Sequence, residues 1–341
     1  MSLRQVGDGT YFYFSNDRAL RLNTCQVCAP WVGRIPLRYK LFKIMTVKRI
    51  INVLQRVLCL LAFTTSFWGC IKEDLDDCND RYSLTVRAYA YESGRELDAD
   101  VVTDLSLFIF DRESRFLYKV ETAIGQKVVV TGPKDENLYI VAWGNLRQGH
   151  QNYTDPQPGD PLADCFVELQ IQTRSETYAL SPGDLFRGMI TLTADNRTDD
   201  KMLPIYREVG SLTVTIRNLK GFTGYNDEDF HIVVRETQSW IGFEGTAAGE
   251  KVSYLPDGSF AEGGNANYNV PAFNLLSMKS GVNIDIYHGS ERITTVSTDR
   301  EAYPITIEKG QLTNVLIELR ASLGVSMELT DWGNNYIWKE F

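Results

Sequence analysis

A period of two in the hydrophobic pattern constrains the fold of this chain more than any other feature. From residue 82 onward, apolar Leu84, Val86 and Ala88 alternate with polar or aromatic residues, as in a half-buried strand. Leu105 to Phe110 forms a short apolar run, and Leu138 to Trp143 is nearly continuous in apolar residues, which favours a strand buried on both faces. The chain after residue 70 shows no long helical period. The pattern therefore predicts an all-β protein.

Turn residues separate the predicted strands at short intervals, which is typical of antiparallel sandwiches. A polar, charged break at residues 195–200 divides them into two sets. We therefore predict two tandem antiparallel β-sandwich domains, at residues 82–205 and 206–341. Hairpin turns are predicted at Pro256–Gly258 and Glu308–Gly310. The remaining predicted strands are 116–120, 127–131, 166–173, 189–193, 202–207, 211–219, 231–237, 251–255, 268–273, 282–287, 293–297, 303–307, 312–319 and 325–329.

The composition changes abruptly at Gly69 and Cys70. Residues 1–69 contain ten Lys/Arg and two Asp/Glu, whereas the whole chain carries 35 and 44. The part from residue 70 onward is therefore strongly acidic. An acidic surface argues against nucleic acid as a partner, because affinity for nucleic acid depends on Lys and Arg neutralising phosphates.

The basic segment predicts a bacterial lipoprotein leader. Met45 opens a positively charged region that is followed by a short apolar run from Val57 to Phe67, which predicts a signal peptide at residues 45–69 and marks residues 1–44 as a mis-called extension. A transmembrane anchor is the alternative, but the run is about half of the ~20 residues that a span needs. Gly69 and Cys70 match the end of a lipobox, so we expect lipid on Cys70. Residues 70–81 then form an acidic tether.

Cysteine is sparse after the predicted cleavage point. Besides Cys70, the mature chain holds Cys78 and Cys165. These two could form a disulfide in an oxidising compartment of the cell envelope. The alternative is two unpaired thiols, one of them buried, and the sequence alone does not decide connectivity.

The residues that could carry chemistry do not form a pattern. His150, His231 and His288 are far apart in the sequence and lack the spacing of metal ligands. No nucleophile elbow or phosphate-binding loop is present. We therefore predict no catalytic residues, no metal and no cofactor. Four tryptophans could serve as sugar platforms, although core positions are commoner for such residues in sandwiches: Trp143, Trp240, Trp332 and Trp338.

Several motifs resemble those of the FimB-type fimbrial anchor family of Bacteroidales, which belongs to type V pili. The resemblance covers most of residues 70–341 and is strongest in the first predicted domain. The motifs that carry it are Cys70 to Cys78 (CIKEDLDDC), Asp104 to Asp111 (DLSLFIFD), Val141 to Leu146 (VAWGNL), Asp184 to Gly188 (DLFRG) and Leu203 to Gly210 (LPIYREVG).

The resemblance implies an outer-membrane lipoprotein with two transthyretin-like β-sandwich domains. It implies a surface-exposed protein at the base of a fimbria, acylated on Cys70, that anchors the fimbria and limits its length. Its expected partners are pilin subunits, which would contribute a strand to an open sheet edge by donor-strand complementation. Two alternatives stay open. A cut at Arg81 would release the lipid and suit a stalk or tip subunit, and a glycan-binding adhesive lipoprotein would use exposed aromatic residues.

Overall fold

The computed structural model describes residues 79–173, 176–193, 195, 199–261, 267–320 and 323–333. These residues are almost entirely in strands. The first eleven are β1 Asp80–Tyr89, β2 Leu105–Phe110, β3 Phe116–Thr122, β4 Lys127–Gly132, β5 Leu138–Gly144, β6 Gln151–Tyr153, β7 Phe166–Leu169, β8 Ile171–Thr173, β9 Thr177–Ala179, β10 Phe186–Leu192 and β11 Asp200–Arg207. The others are β12 Val209–Arg217, β13 Phe230–Gly242, β14 Ala247–Tyr254, β15 Ser259–Phe260, β16 Tyr268–Leu276, β17 Asn283–His288, β18 Glu291–Val296, β19 Gln311–Glu318 and β20 Gly324–Asp331.

The helical elements within the described ranges are short. They are the α-helix Leu219–Thr223, here α1, and two 3₁₀ turns at Ala99–Val101 and Leu162–Asp164. None of the helices in these ranges is long and apolar enough to cross a membrane.

Seven strands form the first sheet, in the order β3-β2-β5-β10-β11-β1-β4. The alternation in β1 places Leu84, Val86 and Ala88 on one face, where they are fully buried. They pack against the matching face of the other strands, so that this sheet encloses a core of its own. Strands β1 and β11 are parallel neighbours, in register from Ser83 opposite Asp200 to Tyr89 opposite Tyr206.

The second half of the chain builds two further sheets. One has five strands, in the order β15-β16-β12-β19-β20. The other has eight and is centred on the long strand β13, with the path β18-β17-β13-β14-β9-β8. Strand β7 also pairs with β13, and β6 pairs with β7. Apolar residues of β12, β13, β17 and β19 meet between these two sheets, including Val214, Ile232, Ile284, Val315 and Ile317.

Strands β6 to β9 come from the first half of the sequence but belong to the second-half sheet. Strand β7 pairs with β13, with Trp240 opposite Glu168, and β9 contacts β14 at Tyr254 opposite Ala179. The division at residues 205 and 206 stays a prediction. The strand pairing shows that residues 151–179 are shared between the two halves.

A continuous apolar core joins the first sheet to the second-half sheets. The outer face of the first sheet carries Phe108 and Trp143, and both rings lie against Phe243, which follows β13. The ring centroids are 4.7 Å apart for Phe108 and Phe243 and 5.7 Å apart for Trp143 and Phe243. All three side chains are fully buried. The two halves are therefore packed together like the interior of one domain.

The structure confirms the all-β prediction. It also confirms that Leu138 to Trp143 is buried on both faces, because successive side chains point to opposite faces and all of them except Tyr139 are buried. The hairpin predicted at Pro256–Gly258 is wrong, since β14 and β15 on either side of it belong to different sheets. The transthyretin-like topology stays a prediction.

Candidate functional site

The described chain begins at one end of the first sheet. Strand β1 runs parallel to β11, and β11 continues directly into β12 of the second half. The start of β1, at Asp80, therefore lies at the end of the sheet opposite to the end where the chain leaves for the second half. Asp80 is fixed there, because its carboxylate accepts a hydrogen bond of 2.7 Å from the backbone N–H of Asp135. Cys70 and Cys78 lie outside the described residues, and the lipidation of Cys70 stays a prediction.

The strand edges decide where a partner strand could be added, because an edge presents unpaired N–H and C=O groups. Strands β3 and β4 are the two edges of the first sheet. The hydroxyl of Tyr118 in β3 crosses to β4, where it donates to the carbonyl of Thr131 and accepts from the N–H of the same residue, both at 2.7 Å. This side chain occupies the outward backbone groups of Thr131 that an added strand would use on β4.

The edge of β3 is covered by a neighbouring loop at its first residue. The N–H of Phe116 donates to the carbonyl of Asp160, and the carbonyl of Phe116 accepts from the N–H of Gly159, each at 2.8 Å. Lys119 extends the contact through an ion pair of 2.9 Å with Asp155. The same loop includes the short strand β6, in which Gln151 is buried.

The outer edge of β16 is also protected. The hydroxyl of Ser181 donates to the carbonyl of Asn274 at 3.1 Å and accepts from its N–H at 2.9 Å. Pro271 lies in the same strand and has no N–H to offer. A charged sequence serves the same purpose on β18, which carries Glu291 and Arg292.

The outer edge of β20 is different. This strand pairs with β19 along all of its eight residues. On its other side, the N–H of Arg300 donates to the carbonyl of Val325 at 3.1 Å. Backbone groups in an antiparallel pair alternate between the two sides, so those of Met327, Leu329 and Asp331 also point outward. No group in the described part of the chain bonds to them there.

Charged residues are concentrated where the two halves meet. Glu208, in the link between β11 and β12, is almost completely buried and receives Arg187 at 2.8 Å and the ammonium of Lys309. Next to it, Arg207 pairs with Asp184 at 2.8 Å. Burial raises the pKa of the Asp184 carboxyl, and the nearby guanidinium opposes that shift. These ion pairs hold the link between β11 and β12 in place.

The cleft beside these charges has a volume of about 650 Å³ and is lined by residues of both halves, including Tyr91 and Tyr206. Both carboxylate oxygens of Glu208 are held by cations.

The residues singled out for chemistry are dispersed. His231 stacks on Tyr287, with the ring centroids 5.1 Å apart, and His288 bonds to Asp227 at 2.7 Å. Among the described residues, no group of three His, Cys, Asp or Glu is placed to hold a metal ion.

The tryptophans do not form an exposed platform within the described ranges. Trp143 is fully buried, and Trp240 packs on Phe166, with the ring centroids 5.5 Å apart. The guanidinium of Arg207 lies over the ring of Trp332, 4.7 Å from its centroid. Trp338 lies outside the described residues.

Cys165 is buried and is a free thiol in the structure. Burial raises the pKa of this thiol to about 11, and the carboxylates of Asp160 and Asp164 add to the effect. The pairing of Cys165 with Cys78 stays a prediction.

Comparison with known proteins places these features in a family. The family model described as fimbrillin-A associated anchor proteins Mfa1 and Mfa2 matches residues 75–338. The chain therefore belongs to this family of fimbrial anchor proteins. It is 25% identical over 302 residues to the major fimbrium anchoring subunit FimB of Porphyromonas gingivalis, covering 84% of this chain and 95% of FimB.

The fold is also similar to a solved structure, the fimbrial anchor protein Mfa2 of Porphyromonas gingivalis. The two structures superpose with a TM-score of 0.52 at 13% identity, over 75% of this chain and 98% of Mfa2. At this level of identity the similarity concerns the fold. It supports the all-β architecture independently of the sequence motifs.

Proposed function

We propose that this protein is an outer-membrane lipoprotein that anchors a fimbria to the cell surface and limits its length. Its membership of the fimbrial anchor family is the observation that carries the proposal. In this proposal lipid on Cys70 holds the protein in the membrane, and a pilin subunit adds a strand to one of its sheets. The protein contributes attachment and shape, and no catalytic step.

The geometry of β1 supports this role. The chain enters the first sheet at the end opposite to its exit into β12. A lipid ten residues before Asp80 would thus attach to one end of the molecule and leave the second half free to face outward. An anchor needs its membrane attachment and its partner surface at separate places.

The position of Arg81 favours an anchor over a stalk or tip subunit. Arg81 is the nearest candidate cut, and a cut there would release the lipid. Arg81 lies within β1 and is in register with Thr131 of β4, so a protease would have to open a paired strand to reach it. A protein that keeps its lipid remains at the base of the fimbria.

The test replaces the lipidated residue. In cells that express Cys70→Ala, we expect palmitate labelling to disappear, the protein to leave the membrane fraction, and fimbriae to be shed into the medium. Cys59→Ala, within the predicted signal peptide, is the matched control and should keep all three properties. Electron microscopy of a deletion strain should show fimbriae that are longer and detached.

Two results would contradict the proposal. Membrane attachment that survives Cys70→Ala would indicate a transmembrane anchor in place of lipid. Fimbriae of unchanged length and attachment in the deletion strain would remove the anchoring role itself.

A further inference from the structure

We propose that the outer edge of β20 is the surface on which this protein receives an extended strand from a fimbrial subunit. The inference rests on the proposed anchoring function and specifies its contact surface. Within the described chain, the edges of β3, β4 and β16 are each occupied by a loop or a side chain at one residue, namely Phe116, Thr131 and Asn274. The edge of β20 is left with outward N–H and C=O groups from Met327 to Asp331.

The backbone of β20 determines which kind of partner can bind along this edge. Outward N–H and C=O groups that repeat at every second residue match the repeat of another extended chain. A helix satisfies its own backbone groups and a glycan lacks this spacing, so neither complements such an edge along its length. The partner of this edge is therefore an extended peptide segment.

The side chains of β20 show what that segment must bring. Val325, Met327 and Leu329 point to the same face of the sheet, because side chains alternate along a strand. Val325 is buried in the core, Met327 is half-buried, and Leu329 is 41% exposed. The apolar face of this strand is thus uncovered progressively towards its C-terminal end. An added strand would cover Met327 and Leu329 with its own inward-facing apolar residues.

The opposite face of β20 adds an electrostatic preference. Glu328 is exposed on this face, between Ser326 and Thr330. A Lys or Arg on the outward face of the incoming strand would lie opposite this carboxylate. Cross-strand pairs of opposite charge contribute roughly 0.2–1 kcal/mol. The expected donor is therefore a strand with alternating apolar residues and at least one basic residue.

A proline substitution tests the edge without disturbing the pairing with β19. In Leu329→Pro the N–H that is lost points outward, and proline is tolerated on edge strands for this reason. We expect the variant to fold and to keep its palmitate and its membrane attachment. The amount of fimbriae retained on the cells should be about tenfold lower than with the native protein. Leu329→Ala removes only the side chain and should have a smaller effect.

The matched control is Val129→Pro on β4. Val129 is 58% exposed, and the alternation that turns the backbone of Thr131 outward also turns that of Val129 outward. This variant should retain fimbriae like the native protein. Retention of fimbriae by cells with Leu329→Pro, or loss of fimbriae only in cells with Val129→Pro, would overturn the assignment of the edge.

Cross-linking provides a second test that does not depend on the folding of a proline variant. A photo-activatable benzoylphenylalanine at position 329 in fimbriated cells should cross-link to an extended segment of a fimbrial subunit, identified by mass spectrometry. The same probe at position 129 should not. A cross-link from position 329 to another part of this chain would refute the inference.

The two proposals fail differently. If the deletion strain keeps fimbriae of unchanged length and attachment, the anchoring function is wrong. If Cys70→Ala sheds fimbriae while Leu329→Pro retains them, anchoring holds and the assignment of β20 is wrong.

Discussion

The substitution Phe243→Ala should weaken the interaction between the two halves of the protein, so that they unfold in separate transitions. Phe243 is fully buried and contacts Phe108 and Trp143 from the first sheet at ring-centroid distances of 4.7 and 5.7 Å. Truncation of a buried phenylalanine costs about 3–5 kcal/mol in lost transfer energy and cavity formation. In a chain of this size that loss corresponds to a fall in Tm of roughly 6–20 °C. Because the cavity lies between the halves, we expect the lost free energy to come mainly from the interaction that couples their unfolding.

Differential scanning calorimetry measures both effects. The native protein should unfold in one main transition, because its core is continuous across the halves. Phe243→Ala should lower the Tm and resolve two transitions. The fluorescence of Trp143, which is buried against Phe243, should change in the first of them.

Phe222→Ala is the control for this prediction. Phe222 lies in α1 and is 49% exposed, so its truncation should change the free energy of unfolding by about 0.5 kcal/mol or less. Equal effects of the two substitutions would refute the reasoning from burial. Two transitions in the native protein would show that the shared core does not couple the halves.

Four further predictions follow from single contacts. Glu208→Gln leaves two cations without their carboxylate and should destabilise the protein in urea, by less than the roughly 3–5 kcal/mol of a fully buried pair because both cations are partly exposed. Tyr118→Phe should cost about 1 kcal/mol, and hydrogen exchange at the amide of Thr131 should become faster. Cys165 should resist iodoacetamide at pH 8 in the native state, because burial raises the pKa of its thiol to about 11; rapid native-state alkylation would contradict this. Burial lowers the pKa of His231, so its contribution to stability is complete above pH ~6.5 and declines as the pH falls through the folded-state pKa. His231→Gln should remove this part of the acid sensitivity measured by thermal unfolding.

The sequence predicted strands well where local pattern determines structure. Leu105 to Phe110 was placed with correct bounds, because a short apolar run closed by Asp111 leaves few alternatives. The same reasoning missed the break at Gln170 that separates β7 from β8. An alternating pattern shows that a segment is extended, and does not show where its pairing partner changes.

Sheet membership could not be obtained from the sequence. The turn Pro256–Gly258 has the chemistry of a hairpin, yet the strands that flank it belong to different sheets. Likewise, nothing local to β7 indicates that it pairs with β13, about seventy residues later in the chain. Pairing depends on which apolar faces meet in the folded protein, and that information is distributed over the whole sequence.

The candidate site likewise has one part that the sequence predicts and another part that only the structure shows. The lipidation of Cys70 is a prediction from the sequence alone, because a lipobox is a linear signal. The open edge of β20 required the structure, since an edge is defined by the strands that do not pair with it. Tyr118 illustrates this point, because its position in β3 gives no indication that its hydroxyl closes the edge of β4.

The direction of β1 connects these features to anchoring. Under the proposed function, tension enters at the start of β1 from the lipid and leaves through β11 into the second half. Because β1 and β11 are parallel and in register over seven residue pairs, the two forces act in opposite directions along the strands. Such a force loads the hydrogen bonds of the ladder together, whereas a force across the strands would break them one after another. The ion pairs of Glu208, immediately after β11, then hold the point at which the load passes into the second half.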